Sequence, residues 1–471
     1  MLSEWKSARP IESRRRRRTE ALIKSLYRRS GFNALPMIAL GFLGLILLGS
    51  VLLTLPVASA TGRRIPWFDA LFTSTSAVCV TGLVVRDTGT AYSTFGHVVL
   101  MLLIESGGLG FMTFATLLFR LMGRGFTMRD RMIMQESLNQ DGLGGVVSLV
   151  FWVANSAVVV QFTGAVLFSF RLIPVYGVKR GLFYSVFHAV SAFCNAGFDL
   201  FGGGRSLTGF SGDTLMNLTA IALVVVGGIG FGTVHDILKK RRFSKLGLNT
   251  KLVLVTYGSL LLAGFLIVLA FEWSNPATLG PLSPGQKMLA AFFQSVTLRT
   301  AGFNTIDQAA LRDSTKLVGG LLMLIGCAPA STGGGIKVTT FALIVLTVRM
   351  VARGESSIVV FRRRIDSMMI QRAVTIAFIA MAVAFVDICA LTLIQPGYAF
   401  LDLYYECVSA VGTVGISAIG SANLRPLGRL LIIITMYIGR IGPMTMALLF
   451  MKRQTRVREL VQYPEDKVML G

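Results

Sequence analysis

Four short tracts of this chain close on a glycine flanked by small or polar residues: Ser76–Leu83, Ser191–Phe198, Thr297–Phe303 and Ser409–Ile416. Their central tripeptides are Val80-Thr81-Gly82, Asn195-Ala196-Gly197, Thr300-Ala301-Gly302 and Thr413-Val414-Gly415, and the glycines fall 115, 105 and 113 residues apart. Glycine admits backbone conformations in which successive carbonyls point one way. Four such loops brought together make rings of carbonyl oxygens that replace the hydration shell of a cation, and Thr-Val-Gly is the tract that potassium channels use. The chemistry to expect is therefore the binding and passage of a dehydrated potassium ion. Glycines at tight helix contacts or re-entrant turns would account for one tract, but poorly for four at near-constant spacing.

Other residues flank this core. Asp87, Asp199 and Asp307 follow three of the loops; they would either concentrate cations at a mouth or be ordinary solvated carboxylates. Arg299, inside the third tract, is expected to turn away from the axis and pin its loop by hydrogen bonds. A second repeated element reads Gly107-Gly108-Leu109-Gly110, then Gly227-Gly228-Ile229-Gly230, then Gly439-Arg440-Ile441-Gly442. Arg440 stands where two copies carry glycine. An arginine in an apolar span suggests function by default, as a gate opposing a cation or as a brace on backbone carbonyls. In the third unit the span is interrupted between Gly326 and Lys337 by Pro329, Ser331, Thr332, Gly333, Gly334 and Gly335. Three consecutive glycines after a proline will not continue a helix. The expectation is two half-spans joined by an intramembrane loop, either a movable barrier with Lys337 as its latch or a static break. Its likeness to a phosphate-binding loop fails, because no glycine directly precedes the lysine and no soluble strand leads into it.

These residues must be positioned by elements of an unusual composition. Of the 471 residues 53% are hydrophobic and 15% charged, with a mean hydropathy of +0.67, against about 25% charged in a soluble domain. Soluble architectures, nucleic-acid binders and disordered scaffolds are excluded. The net charge of +23 is concentrated in short runs between apolar stretches. Runs near 20 apolar residues cross a bilayer, and eight are expected, at 35–57, 93–119, 146–173, 212–238, 250–272, 314–348, 370–394 and 427–451. Between them lie apolar runs near ten residues, at 67–77, 182–192, 287–297 and 401–411, long enough to enter a bilayer but not to cross it. A half-helix entering from outside leaves its C-terminal carbonyls near mid-membrane, where the negative end of the dipole favours a cation. The fold class expected is an all-α integral membrane protein with four membrane–pore-loop–membrane repeats around a central pore, eight spans plus four re-entrant half-helices.

The expected organisation is a basic arm at 1–34, units at 35–125, 126–245, 246–365 and 366–455, and a tail at 456–471. Lysines and arginines cluster at 1–30, 120–131, 239–251, 349–372 and 452–467, which places both termini in the cytoplasm by the positive-inside rule. Cys79, Cys194, Cys327, Cys389 and Cys407 show no CxxC spacing, so neither a disulfide framework nor a zinc site is expected. His97, His188 and His235 are isolated, and no nucleophile–base pair suggests an enzyme. The competing function is a secondary transporter of a small solute whose broken helices form the substrate site; it predicts inverted repeats, whereas these four run parallel.

The four loops, the Ser331–Lys337 break and the Gly439–Pro443 stretch together resemble the Trk/Ktr/HKT superfamily of potassium transporters, closest to the membrane subunits of bacterial Ktr systems. The resemblance covers roughly 35–451. It implies potassium uptake across the cell membrane, with Na+ as an activator and no organic cofactor in this chain. It also implies a homodimer with one pore per subunit, beneath a cytoplasmic ring of KtrA-type regulatory subunits that bind ATP or ADP. The family's filter glycines, its interrupted third-unit helix as a gate and its guarding arginine map onto Gly82, Gly197, Gly302 and Gly415, onto 326–337 and onto Arg440. Glycine in the first loop is associated with potassium preference, and Gly82 fits it. Glu105 departs from the pattern, since a neutral polar residue is expected there.

Overall fold

The computed structural model describes residues 34–110, 113, 114, 116, 126–137 and 145–442. All but residue 34 of the expected basic arm, and the tail, lie outside the described residues. The described chain is almost wholly helical: α1 Ala34–Thr54, α2 Trp67–Val78, α3 Thr94–Gly108, α4 Met128–Ser137, α5 Val146–Phe193, α6 Thr214–Gly228, α7 Phe231–Lys240, α8 Leu248–Glu272, α9 Pro284–Thr297, α10 Asp313–Leu324, α11 Val338–Ala352, α12 Ser367–Ile394, α13 Phe400–Gly412 and α14 Pro426–Ile441. Four of these (α1, α5, α8 and α12) are long and apolar enough to cross a membrane, or five spans if the bent pair α6–α7 counts as one.

The short apolar runs end as expected, close before the glycine tracts. α2 has 12 residues, α9 has 14 and α13 has 13; at 1.5 Å per residue each rises about 20 Å, short of a 30 Å hydrocarbon core. Their starts are locally encoded. Pro66 precedes α2 and Asp69 occupies its first turn, while Ser283 and Gln286 form a capping box on α9 with Pro284 at its first position. The carboxylates that favour these positive ends are held by cations: Asp69 by Arg86 at 2.7 Å and Arg429 at 3.1 Å, and Asp402 by Lys316 at 2.6 Å.

The runs 146–173 and 182–192 are two helices that abut without a loop inside α5: Gly177, with φ 77° and ψ 166°, breaks the helix between them, three residues beyond Pro174. The run 212–238 is bent in its course, while 117–119 and 443–451 of the runs 93–119 and 427–451 lie outside the described residues. α3, α6 and α14 stop in the repeated glycine element, where Gly110, Gly230 and Gly442 adopt φ of +86°, +87° and +97°; the chain turns by 95° between α6 and α7. A Cβ on Gly107, Gly227 or Gly439 would collide with the carbonyl oxygen of Val78, Phe193 or Val411, so glycine at these positions lets each helix pack closely on the end of the neighbouring half-helix. The interruption of 314–348 is as expected, with α10 and α11 joined by a loop.

Helix packing is cyclic. α3 packs on α5, α6 on α9, α10 on α13, and α14 back on α2. A small hairpin, β1 Val359–Val360 with β2 Arg363–Arg364, follows α11; Phe361 and Arg362 both have positive φ, the signature of a tight type I′ turn. Phe361 meets Phe243 edge-on at 6.0 Å, with Lys251 over both rings.

Candidate functional site

The four tracts share one backbone pattern. Two residues before each central glycine, a non-glycine residue has positive φ: Val80 55°, Asn195 58°, Thr300 64° and Thr413 52°. The glycines follow with φ of 99°, 68°, 80° and 92°, and the residues between, Thr81, Ala196, Ala301 and Val414, are not left-handed. Alternating hand along an extended loop turns consecutive carbonyls to the same side. A left-handed non-glycine residue costs on the order of 1–3 kcal/mol and persists only where its surroundings over-determine it. The same strain at four corresponding positions marks a site.

The loops also meet. A Cβ built on Gly82 would lie 2.6 Å from the Ala196 carbonyl oxygen and 3.3 Å from the Gly197 Cα. One on Gly197 would lie 2.6 Å from the Gly302 Cα, one on Gly302 2.8 Å from the Val414 oxygen, and one on Gly415 2.9 Å from the Gly82 Cα. The order 82–197–302–415 closes on itself, so the four glycines surround one centre with backbone, not side chains, facing each other. The Val80, Thr81, Asn195, Ala196, Thr300, Ala301, Thr413 and Val414 side chains are buried behind it. Helices α2, α5, α9 and α13 all end there, so four negative helix termini converge.

Sequence reading treated the first residue of each tract as merely small, but its hydroxyl fixes the loop. The Gly82 N–H donates to Ser76 Oγ and the Gly415 N–H to Ser409 Oγ, both at 3.0 Å. Ser191 Oγ donates to the Phe198 carbonyl at 2.7 Å, and Thr297 Oγ1 to that of Phe303. The signal was a Ser or Thr five or six residues before each glycine.

The interrupted stretch between α10 and α11 lies directly against the ring. A Cβ on Gly333 would strike Thr300 Oγ1, and one on Gly334 would strike Thr413 Oγ1. The Cys327 thiol sits 3.1 Å from Thr300 Oγ1 and donates to the Arg299 carbonyl at 3.3 Å. Loop and α6 are stitched together by Ala328 N–H to Gly228 O at 3.0 Å and Thr332 N–H to Gly227 O at 3.2 Å. The Arg440 guanidinium donates to the carbonyls of Thr332 and Gly107, and to Gly108 O at 3.4 Å. It thus ties the loop to the end of α3. Lys337 Nζ donates to Gly333 O at 2.7 Å, and Ser331 Oγ to Ala328 O at 2.6 Å. Arg440, Lys337, Ser331 and Gly333 line a cavity of 420 Å³ together with Gly108 and Gly110. Gly326 packs against Gly334 and Gly335, so the two ends of the break touch.

Arg299 is 1% exposed and points away from the ring, as expected, donating to the carbonyls of Leu322 at 3.0 Å and Ile325 at 2.6 Å; it caps the C-terminus of α10. Glu105 is held by Gln161 at 2.8 Å and by the Cys194 thiol at 3.3 Å, so its carboxylate braces the second loop. Among the acids beyond the ring, Asp87 caps a one-turn helix through the Thr90 N–H at 3.0 Å and accepts from the Gly204 N–H at 2.8 Å. Asp307 accepts from the Ala309 N–H at 3.0 Å. Asp199, in the loop between α5 and α6, accepts from the Phe201 N–H at 3.1 Å; burial raises its carboxyl to about 6 against the pull of that N–H.

Residues 43–458 match the TrkH family, described as a cation transport protein. The Ktr system potassium uptake protein B of Bacillus subtilis (strain 168) is 42% identical over 92% of this chain and 96% of its own. The potassium/sodium uptake protein NtpJ of Enterococcus hirae is 37% identical over 94% of this chain and 98% of its own. The crystal structure of the potassium transporter TrkH from Vibrio parahaemolyticus superposes with a TM-score of 0.65 at 19% identity, over 87% of this chain and 84% of the other, a likeness of fold.

Proposed function

The chain belongs to the TrkH family of cation transport proteins, and from that premise we propose that it carries potassium into the cell along an axis through the four glycines. The observation that carries this reading is the closed order Gly82, Gly197, Gly302, Gly415 with backbone facing backbone. Carbonyls held in that way replace water around an ion without a charged side chain in the path. Moving one charge through 100 mV releases about 2.3 kcal/mol, so such a conduit needs no nucleotide hydrolysis of its own.

The finer assignment follows the same geometry. Val80–Gly82, Asn195–Gly197, Thr300–Gly302 and Thr413–Gly415 form the filter. The stretch 326–337 is the barrier beneath it, and Arg440 with Lys337 holds that barrier shut through carbonyl contacts. Arg440 is both brace and gate in this reading, since the bonds that brace the loop are those that must break to open it. The layout is four units, with bounds at 35–125, 126–245, 246–365 and 366–455, giving eight spans and four half-helices in a bacterial cell membrane. Both termini are cytoplasmic, the chain pairs with a second copy, and a KtrA-like ring binding ATP or ADP meets the basic face. Sodium acts as an activator.

Rubidium uptake into proteoliposomes, with sodium and membrane potential varied independently, tests this. Uptake driven by an inside-negative potential, and competed by potassium far better than by sodium, is expected. Absence of potential-driven uptake by the correctly inserted protein would overturn the reading.

A further inference from the structure

Each half-helix carries a second buried polar side chain, three residues before its loop-fixing Ser or Thr: Thr73 before Ser76, His188 before Ser191, Gln294 before Thr297 and Glu406 before Ser409. All four are at most 1% exposed. Four unlike residue types at one position of an apolar helix are costly to bury unless each is satisfied. Each is satisfied: three by the loop that leaves the ring, within six residues of its glycine, and Thr73 by Tyr92, just beyond the one-turn helix that Asp87 caps.

His188 Nε2 accepts from the Leu200 N–H at 3.3 Å, while Nδ1 donates to the Tyr184 carbonyl at 2.7 Å; the ring lies flat on Phe201 at 4.3 Å. Gln294 and Gln308 form a reciprocal amide pair at 2.8 and 3.0 Å, and Gln308 also donates to the Ile306 carbonyl at 2.9 Å. Both Glu406 oxygens are taken, one by Ser417 Oγ and the other by Ser421 Oγ. Thr73 Oγ1 accepts from Tyr92 OH at 3.1 Å. Leu200, Gln308, Ser417 and Tyr92 all follow the central glycine of their own loop.

We propose that Thr73, His188, Gln294 and Glu406 are positioning residues that hold the four segments following the glycines at a fixed distance from the axis, and so set the discrimination between potassium and sodium. The inference rests on the potassium pathway proposed above and adds what limits its size. A carbonyl ring free to contract coordinates the smaller ion as well as the larger. Ser76, Ser191, Thr297 and Ser409 fix the level of the glycines. The outer tier fixes the segments beyond, and neither tier touches the ion. Different residue types serve because only the reach to the segment is shared.

The test is sodium competition against rubidium uptake in proteoliposomes, for the parent and for Gln294→Ala, Glu406→Ala, Glu406→Gln and the double variant Ser417→Ala/Ser421→Ala. Loss of a buried hydrogen bond shifts an equilibrium by roughly two- to tenfold. Sodium should therefore compete better by about that factor in the alanine variants. Glu406→Gln should return most of the parent ratio, because an amide still bonds a serine through each of its ends. The serine pair cuts the same tie from the segment side and reads the proposal even if Glu406→Ala fails to insert. Parental ratios in the serine pair and in Gln294→Ala would overturn it. So would a loss in Glu406→Gln equal to that in Glu406→Ala, which would assign the effect to charge. A parent that moves no rubidium would overturn the potassium reading itself, a distinct result.

Discussion

Gly82→Ser puts a side chain where the ring has room for none. The added Cβ would lie 2.6 Å from the Ala196 carbonyl oxygen and 3.3 Å from the Gly197 Cα, and both neighbours are backbone that cannot rotate away. Gly82 also has φ of 99°, a conformation costing an L-residue on the order of 1–3 kcal/mol. Relief requires moving Ala196, whose carbonyl is one of the proposed ligands. If half of that strain appears as a changed ion preference, discrimination falls by roughly twofold to tenfold, since about 1.4 kcal/mol is a factor of ten. The assay is rubidium uptake in proteoliposomes against rising potassium or sodium, with insertion checked by protease protection. Sodium should compete more effectively in Gly82→Ser than in the parent. An unchanged potassium-to-sodium ratio in a well-inserted variant would remove Gly82 from the filter and refute the ring argument.

Arg440→Ala, or a deletion within 327–335, removes the bonds that join the interrupted loop to α3 and should raise flux through the isolated subunit; equal flux in both would end the gate assignment. The Asp199 carboxyl lies near 6, above its ordinary range, so it is ionised above that pH and neutral below. The native state holds this proton more tightly than the unfolded chain, so its contribution to stability is present at low pH and lost as pH rises through about 6. Cation attraction runs the opposite way, and uptake at low potassium should fall as pH drops through the same window. Asp199→Asn should flatten both profiles, read by uptake and by thermal melting. Replacing Arg362, Arg363 and Arg364 by Gln should weaken docking of the proposed KtrA-like ring and reduce its salt dependence, measured by co-purification at two ionic strengths; docking that ignores both changes would discard the electrostatic account.

Much of the site was legible in the sequence because it depends on local rules. Glycine at regular intervals, half-length apolar runs before it and a proline followed by three glycines are each restrictions on a few adjacent residues. They marked α2, α9 and α13, the four tracts and the break between α10 and α11 without reference to a partner. Arg299 could be read the same way, since a guanidinium buried among apolar residues has little choice but to face carbonyls, here those of Leu322 and Ile325.

Contacts between distant segments were not legible. Gly107, Gly227 and Gly439 were visible as a repeated element, but not that the carbonyls of Val78, Phe193 and Val411 would press against them. Likewise the roles of Ser76, Ser191, Thr297 and Ser409 depend on loops folding back over their own helices, and the partners of Arg440 lie 108 and 333 residues away. Composition and spacing determined that four carbonyl-bearing loops exist, because backbone freedom is a property of each residue. Only the tertiary structure decided that they close in the order 82, 197, 302, 415 and which side chains hold them apart, because that is settled by packing between segments more than 100 residues apart.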